Sequence, residues 1–377
     1  MTMASIQKRG KTYQFTISRM VDGKSAPIRK GGFHTKKEAT IAAAEMEAMI
    51  NKGVVPHLKP APFDEYFNTW VKLYKTNLSL ATMKHYDYTY NRIKEFFNSK
   101  PLQEISTQDY QQFLNQLGAT RSKETVEKVH GHIRACVLDA VDEQIIPRDF
   151  TRKAELVFTV DAKDELEKYV NYQDSILLLN GLKDRLDQGL DYYLLLLGLT
   201  TGLRFEELVG LVYSDFDFVN NELNVDKTWG YNNRMPTGFG PLKNKASKRK
   251  IKVEGTTMAL FKELFKTIPD NENHLVFYNE KSVYKVITNE RANDVLKEVL
   301  LELNIRPLIT MHGLRHTHGS ILLHKKATYQ YVSRRLGHKD IETTMRTYAH
   351  LLKETIEEND QLAVDTFTEM YAITASQ

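Results

Sequence analysis

Near its carboxyl end the chain reads His312-Gly-Leu-Arg315-His316, then Leu336-Gly-His338, then Thr347-Tyr348-Ala-His350. Far upstream stands Thr201-Gly-Leu-Arg204-Phe-Glu-Glu207-Leu208. Between them lies Gly240-Pro-Leu-Lys243-Asn-Lys245-Ala-Ser-Lys-Arg249, and five of the eight residues from Lys243 to Lys250 are basic. Two arginines, a lysine-rich segment, two histidines and a tyrosine are the side chains of a phosphate-binding cage with a nucleophile beside it. Guanidinium forks meet phosphate oxygens bidentately and keep their protons. Attack on a phosphodiester gathers negative charge on the nonbridging oxygens, and fixed cations stabilise that state. A tyrosine hydroxyl, with a reference pKa of about 10, must lose its proton as it attacks. An imidazole near 6.5 exchanges protons close to neutrality.

Each piece alone says little. Tyr348 is one of nineteen tyrosines, and a basic loop is ordinarily a solvated turn. His312 and His316 have the four-residue spacing of a helical zinc pair. However, Gly-Leu-Arg between them lacks the HExxH glutamate, and Arg315 beside a metal is unfavourable, so no metal is expected. The chain has no GxxxxGK[ST] loop, and no ATP or other cofactor is expected. The order and spacing of all the pieces together carry the reading.

At 377 residues the chain exceeds one compact core, which predicts two or three domains. No apolar run is long enough to span a membrane, and the first residues lack a signal peptide's apolar stretch. Together with a single cysteine, Cys136, in an apolar helical run, this predicts a cytoplasmic protein with a buried free thiol. Net charge is +4, but residues 1–59 hold eleven Lys/Arg against four Asp/Glu, so a polyanion contact is expected at that end.

The expected fold is mainly α with small β-sheets. Residues 1–55 read as a sheet-plus-helix domain. Tyr13, Phe15 and Ile17 alternate with polar residues as in a strand. Asp22-Gly23 supplies a hairpin turn toward a second strand near Ser25–Lys30, and Thr35 with Glu38 forms a capping box before a helix ending at Gly53. Lys8, Arg9, Lys11, Arg19, Lys24, Arg29 and Lys30 cluster on the sheet half, where a sheet can lie in a DNA groove. Residues 56–62 form a proline-stiffened linker. Residues 63–150 read as helices, with aromatic stripes for a core, Ser106 as a cap, and a last helix from Thr125 to Ile146 ended by Pro147. Lys84 and Arg92 lie between those stripes as candidate phosphate contacts. Residues 151–165 read as a second linker. In the last domain, residues 166–355, Leu223-Asn-Val225 and Ile251-Lys-Val253 suggest a short sheet among helices. Residues 356–377 approximate an amphipathic tail helix.

These motifs resemble the tyrosine recombinase (phage integrase) family over residues from about 58 to 350. The family's T-G-L-R-x-x-E-L, H-x-L-R-H, L-G-H and nucleophile segments align with Arg204, His312, Arg315, His338 and Tyr348. Its hairpin lysine aligns with Lys243, or with Lys245 as runner-up. The resemblance implies cleavage and rejoining of DNA through a 3′-phosphotyrosyl ester, a covalent route needing neither metal nor ATP. It implies that Lys243 protonates the leaving 5′-oxygen and His338 bonds the scissile phosphate. Glu207, one turn after Arg204, is expected to position basic side chains. Residues 1–55 look like an arm-binding domain, which implies core and arm-type attachment sites on double-stranded DNA and integration, with excision, of a mobile element. A homotetramer on DNA is implied, an excision factor and a host DNA-bending protein are the further candidate partners, and the tail docks either on a neighbouring protomer or on its own domain. Three rivals stand against this reading: a type IB topoisomerase, which needs no specific site; a DNA-binding regulator that kept the fold; and a metal-dependent nuclease. Intact catalytic positions disfavour the regulator.

Overall fold

The alternation of Phe15 and Ile17 with polar neighbours becomes the middle strand of a small antiparallel sheet. The computed structural model describes residues 4–18, 20–21, 24–25, 27–51, 61–160, 165–348, 364–366 and 368. Strands β1 (Ser5–Arg9), β2 (Thr12–Ile17), β3 (Met20–Val21), β4 (Lys24–Ser25) and β5 (Ile28–Phe33) precede helix α1 (Lys36–Asn51). The main sheet runs β1-β2-β5, with Ile17 opposite Ile28, and β3 pairs with β4 farther along the same hairpin. Phe15, Ile17 and Ile28 are buried together with Ala43 of α1. The capping box forms, with Glu38 N–H donating to Thr35 Oγ1 at 3.1 Å and Thr35 N–H donating to the Glu38 carboxylate at 3.4 Å. Two details depart from expectation. β1 was not foreseen, because Ile6 is its single apolar residue, and the long strand after the turn begins at Ile28 rather than Ser25. The turn residues Asp22 and Gly23, Arg19, most of the 56–62 linker and nearly all of the 356–377 tail lie outside the described residues.

The aromatic stripes fold into four helices: α2 (Phe63–Tyr74), α3 (Leu80–Phe97), α4 (Thr107–Gly118) and α5 (Lys123–Asp142). Phe63, Phe67, Trp70, Ile93, Phe97 and the free Cys136 share one buried core. Trp70 Nε1 donates to Asp139 at 2.7 Å, tying α2 to α5. Ser106 caps α4 in a reciprocal box with Asp109. Helix α5 stops at Asp142, short of the expected Ile146. Gln144 turns into the left-handed region (φ 59°), and the amides of Ile145 and Ile146 both bond back to the Ala140 carbonyl. The expected 151–165 linker is also not free over its described part. Ala154, Leu156 and Phe158 pack on this core, Thr159 N–H donates to the Gly118 carbonyl at 3.0 Å, and Val160 bridges Ser122. The chain accordingly divides into two compact units, Met1–Ala162 and Lys163–Gln377.

The second unit is built on α7 (Leu190–Thr201), which follows α6 (Tyr172–Lys183). Leu194 through Leu199 are all buried, as expected for a helix apolar on every side. A single 3-10 turn spans Glu165–Lys168 ahead of α6. After α7 come α8 (Phe205–Leu208), β6 (Phe216–Asp217), β7 (Glu222–Val225), β8 (Thr228–Trp229), β9 (Phe239–Gly240) and β10 (Arg249–Lys252). Then follow α9 (Gly255–Thr267), α10 (Asn289–Glu302), α11 (Met311–His324), α12 (Tyr329–Leu336) and α13 (Ile341–Thr347). The sheet runs β10-β7-β6, antiparallel throughout, and β8 pairs with β9. Among the described residues no helix is long and apolar enough to cross a membrane.

A Cβ built on Gly118 would overlap the Val157 carbonyl, which is backbone and cannot swing aside. Gly118→Ala should therefore lower the stability of the first unit by about 1–3 kcal/mol, measured as a downward shift of its calorimetric transition in the full chain. An unchanged transition would mean that the 151–160 segment does not dock on α4.

Candidate active site

Helix α12 ends in a Gly337 cap in the left-handed region (φ 69°), and its last carbonyls point away from the helix without intrahelical partners. Three arginines from three other elements meet them in sequence. Arg249 of β10 donates Nε–H to the Arg335 carbonyl at 2.7 Å. Arg315 of α11 donates to the Leu336 carbonyl at 2.7 Å. Arg204, at the N-cap of α8, donates to the Gly337 carbonyl at 3.0 Å. The negative end of the α12 dipole favours cations there. Arg315 is also held by the Gly202 carbonyl at 2.8 Å, where α7 turns through a left-handed glycine (φ 68°). Beside them Arg335 reaches the buried His318, its Nε–H donating to Nε2 at 2.8 Å.

Glu207 binds two of the arginines. Its carboxylate accepts from Arg204 at 2.8 Å and from Arg249 at 3.0 and 3.2 Å, and it is 1 % exposed. Burial raises its pKa, but the charge and hydrogen bonds of Arg249, with Arg204 and Arg315, outweigh burial, and the net shift is downward. Burial and then the charge of Arg204 push the Arg315 guanidinium down to about 9, still protonated at neutral pH. Glu206 is half-buried beside this cluster, and burial followed by its neighbour Glu207 raises its pKa.

His312 and His316 project from α11, their rings 4.6 Å apart edge to face. Desolvation, then the charges of Arg315, Arg204 and Lys243, lower the His312 pKa below its ordinary value. His338 follows the α12 cap and bonds Thr344 Oγ1 through Nδ1 at 2.7 Å; burial and the same arginines push it down to about 4. Lys243 is exposed on the loop after β9, yet its charge acts on both Glu206 and His312. Lys245 opens the short 3-10 turn that follows. Tyr348 caps α13 and is 1 % exposed, packed with Val332 and Leu336. Its hydroxyl lies against Gly319, where any side chain would overlap it. Gly319 is four residues after Arg315 on α11, hence on the same helical face. Burial raises the Tyr348 pKa well above the ordinary phenol value, with the Arg315 charge opposing. The cluster thus offers fixed cations, neutral imidazoles and a phenol along one helix face.

The candidate DNA-contacting residues divide. Opposed residues in a ladder share a face. Arg9 pairs with Thr12, and Arg29 with Thr16, on the open side of the sheet. Lys8 pairs with Tyr13, and Lys30 with Phe15, on the side that packs against α1. Lys11 lies in the turn between β1 and β2, and the Lys24 side chain is outside the described residues. On α3, Lys84 is exposed, but Arg92 is drawn into a 2.6 Å ion pair with Glu95. Sequence reasoning missed Arg121 and Lys128, which line a cavity of about 250 Å³ with His85 and Tyr88. It also missed Arg249 as the second partner of Glu207; the basic run containing it gave the signal, but not which residue turns inward.

Three family models match successive parts of the chain: the arm DNA-binding domain over residues 4–50, the phage integrase N-terminal SAM-like domain over 62–118, and the phage integrase family over 170–355. Among curated proteins, the integrase of Staphylococcus phage L54a is 23 % identical over 84 % of this chain and 96 % of its own length. The ICEBs1 integrase of Bacillus subtilis (strain 168) is 23 % identical over 84 % of this chain and 86 % of its own. A solved Tn1549 transposon integrase, in complex with transposon right-end DNA, shares the fold with a TM-score of 0.67 at 19 % identity. That likeness covers 80 % of this chain and 99 % of that one. With arm, SAM-like and catalytic models matched in order along the sequence, the chain belongs to the phage integrase family of tyrosine recombinases, enzymes that cleave and rejoin DNA strands.

Proposed function

We propose that Arg204 and Arg315 grip the scissile phosphate and that Tyr348 attacks it. The observation that carries this reading is the guanidinium ladder on α12, with the Tyr348 hydroxyl along the Arg315 face of α11. Two of the five N–H donors of Arg315 go to the Gly202 and Leu336 carbonyls, leaving others for phosphate oxygens. As the bond from the Tyr348 oxygen to phosphorus forms, the phenol proton passes to His312. The bond to the 5′-oxygen breaks, and Lys243 protonates that leaving oxygen. His338 hydrogen-bonds a nonbridging oxygen, while Glu207 holds Arg204. The 3′-phosphotyrosyl ester keeps the energy of the broken bond, so a 5′-hydroxyl from a partner strand reseals it.

The same reading assigns residues 1–55 to arm-type sites, with Arg9 and Arg29 on the face offered to DNA, and residues 63–150 with 166–355 to the core site. The protein works in the cytoplasm as a homotetramer on two duplexes, integrating and excising a mobile element with an excision factor and a host bending protein. Support comes from the relatives: a phage integrase and an integrase named for ICEBs1 both align along most of the chain.

Tyr348→Phe should abolish covalent attachment to a nicked core-site duplex while leaving binding within about twofold; an adduct formed by the variant on a denaturing gel would overturn the assignment. Because burial and then the charges of Arg315, Arg204 and Lys243 lower its pKa, His312 stays a neutral proton acceptor to lower pH than a free imidazole. The acidic midpoint of single-turnover attachment should therefore lie below the ordinary imidazole value of about 6.5. A half-loss already at pH 6.5 would exclude His312 in its lowered state as the acceptor. Deleting residues 1–55 should spare core-site cleavage and eliminate binding to arm repeats, read by mobility shift; arm binding that survives the deletion would rule out the domain assignment.

A further inference from the structure

We infer that Arg249, on β10, is a positioning residue for strand cleavage: it fixes Arg204 and the α12 terminus in register without touching the phosphate. This rests on the reading just given of Arg204 as a phosphate ligand. The Arg249 side chain is only 6 % exposed, and four of its five N–H donors are committed. Nε–H goes to the Arg335 carbonyl at 2.7 Å, one terminal nitrogen to the Ser247 carbonyl at 2.7 Å, and both terminal nitrogens to Glu207 at 3.0 and 3.2 Å. Its guanidinium faces Glu207, and the residue also lines a cavity of about 420 Å³ with Lys248, Lys250, Tyr331 and Arg334. Glu207 passes the constraint on, since the same carboxylate oxygen that receives Arg249 also receives Arg204 at 2.8 Å. Ser247, two residues before Arg249 at the end of the 3-10 turn, completes the loop: its hydroxyl lies 3.3 Å from the Gly337 carbonyl and accepts from Arg204 at 3.3 Å.

Two further features make the fit specific to a guanidinium. A Cβ on Gly337 would sit 2.9 Å from an Arg249 terminal nitrogen, so the α12 cap and this side chain are shaped to each other. A lysine keeps the charge but cannot span the Arg335 carbonyl and both Glu207 oxygens at once, because it lacks a planar fork. Loss of that span frees the Glu207 carboxylate to shift, and Arg204 shifts with it. Misplacement of this kind costs on the order of 100-fold in rate.

The test uses the full chain and a nicked suicide duplex in two forms, one with a normal scissile phosphate and one with an uncharged methylphosphonate there. Attachment rates at saturating DNA and binding by anisotropy are measured for wild type, Arg249→Lys, Glu207→Gln and the double variant, with Tyr348→Phe as the blank. The expected result is binding within about threefold for every variant and a roughly 100-fold slower rate for Arg249→Lys on the phosphate. On the methylphosphonate that penalty should shrink below about tenfold, because Arg204 then has less charge to meet. The double variant should be no slower than the slower single, since both cut one chain of contacts. Equal penalties on both duplexes, multiplicative singles, or an Arg249→Lys rate like wild type would each overturn the inference. If Arg249→Lys does not fold, Glu207→Gln decides by the same comparison of duplexes. Wild type failing to attach would instead overturn the underlying reading of the site.

Discussion

Three consecutive carbonyls at the end of one short helix hold three arginines of the second unit in register. A helix terminus leaves its last carbonyls without partners, and buried carbonyls must find them. Here the partners are arginines delivered by a strand, a helix and a helix cap that are far apart in sequence. The arrangement fixes two things at once. It sets each guanidinium plane before any ligand arrives, and it sets where the chain leaves α12, which puts His338 at the edge of the cluster. Neither end could be altered alone, because the acceptors are backbone and each guanidinium is also held by a second partner.

Such a cluster is electrically lopsided. Arg204, Arg249 and Arg315 crowd around one fully buried carboxylate, and burial of charge without a partner is unfavourable. The neighbours add no further positive charge at neutral pH: burial, then His312, pushes His316 down to about 3, and burial, then Arg315, pushes His338 down to about 4. An anion with two or three oxygens would supply what the site lacks. Preorganised cations whose remaining partner is the ligand itself contribute most where charge develops during reaction.

Much of this was legible in the sequence, and for identifiable reasons. Arg204, His312, Arg315, His338 and Tyr348 announce themselves because each sits in a short motif whose neighbours are constrained: Gly202 for the left-handed turn, Gly337 for the cap. The aromatic helices were readable from their spacing, and the Thr35 and Ser106 caps from side-chain chemistry alone. What escaped was long-range pairing. Nothing in Lys-Arg-Lys distinguishes the cation that turns inward to Glu207 from those that face water. Nothing in residues 151–160 reveals that a polar stretch without period packs along α4, because that depends on the missing side chain at Gly118. Nothing in the spacing of Arg92 shows that it shares an ion pair with Glu95, and the end of α5 turned on a single left-handed Gln144.

The notch at Gly319 has one more consequence. A phenol seated where no side chain can stand is walled off from solvent, whereas Tyr331 on α12 and Tyr74 on α2 stay about half open to it. Reagents that modify tyrosine from solution will find those first and Tyr348 last. The phenol therefore carries its own concealment. How readily it can be labelled gauges how far α13 has lifted from α11.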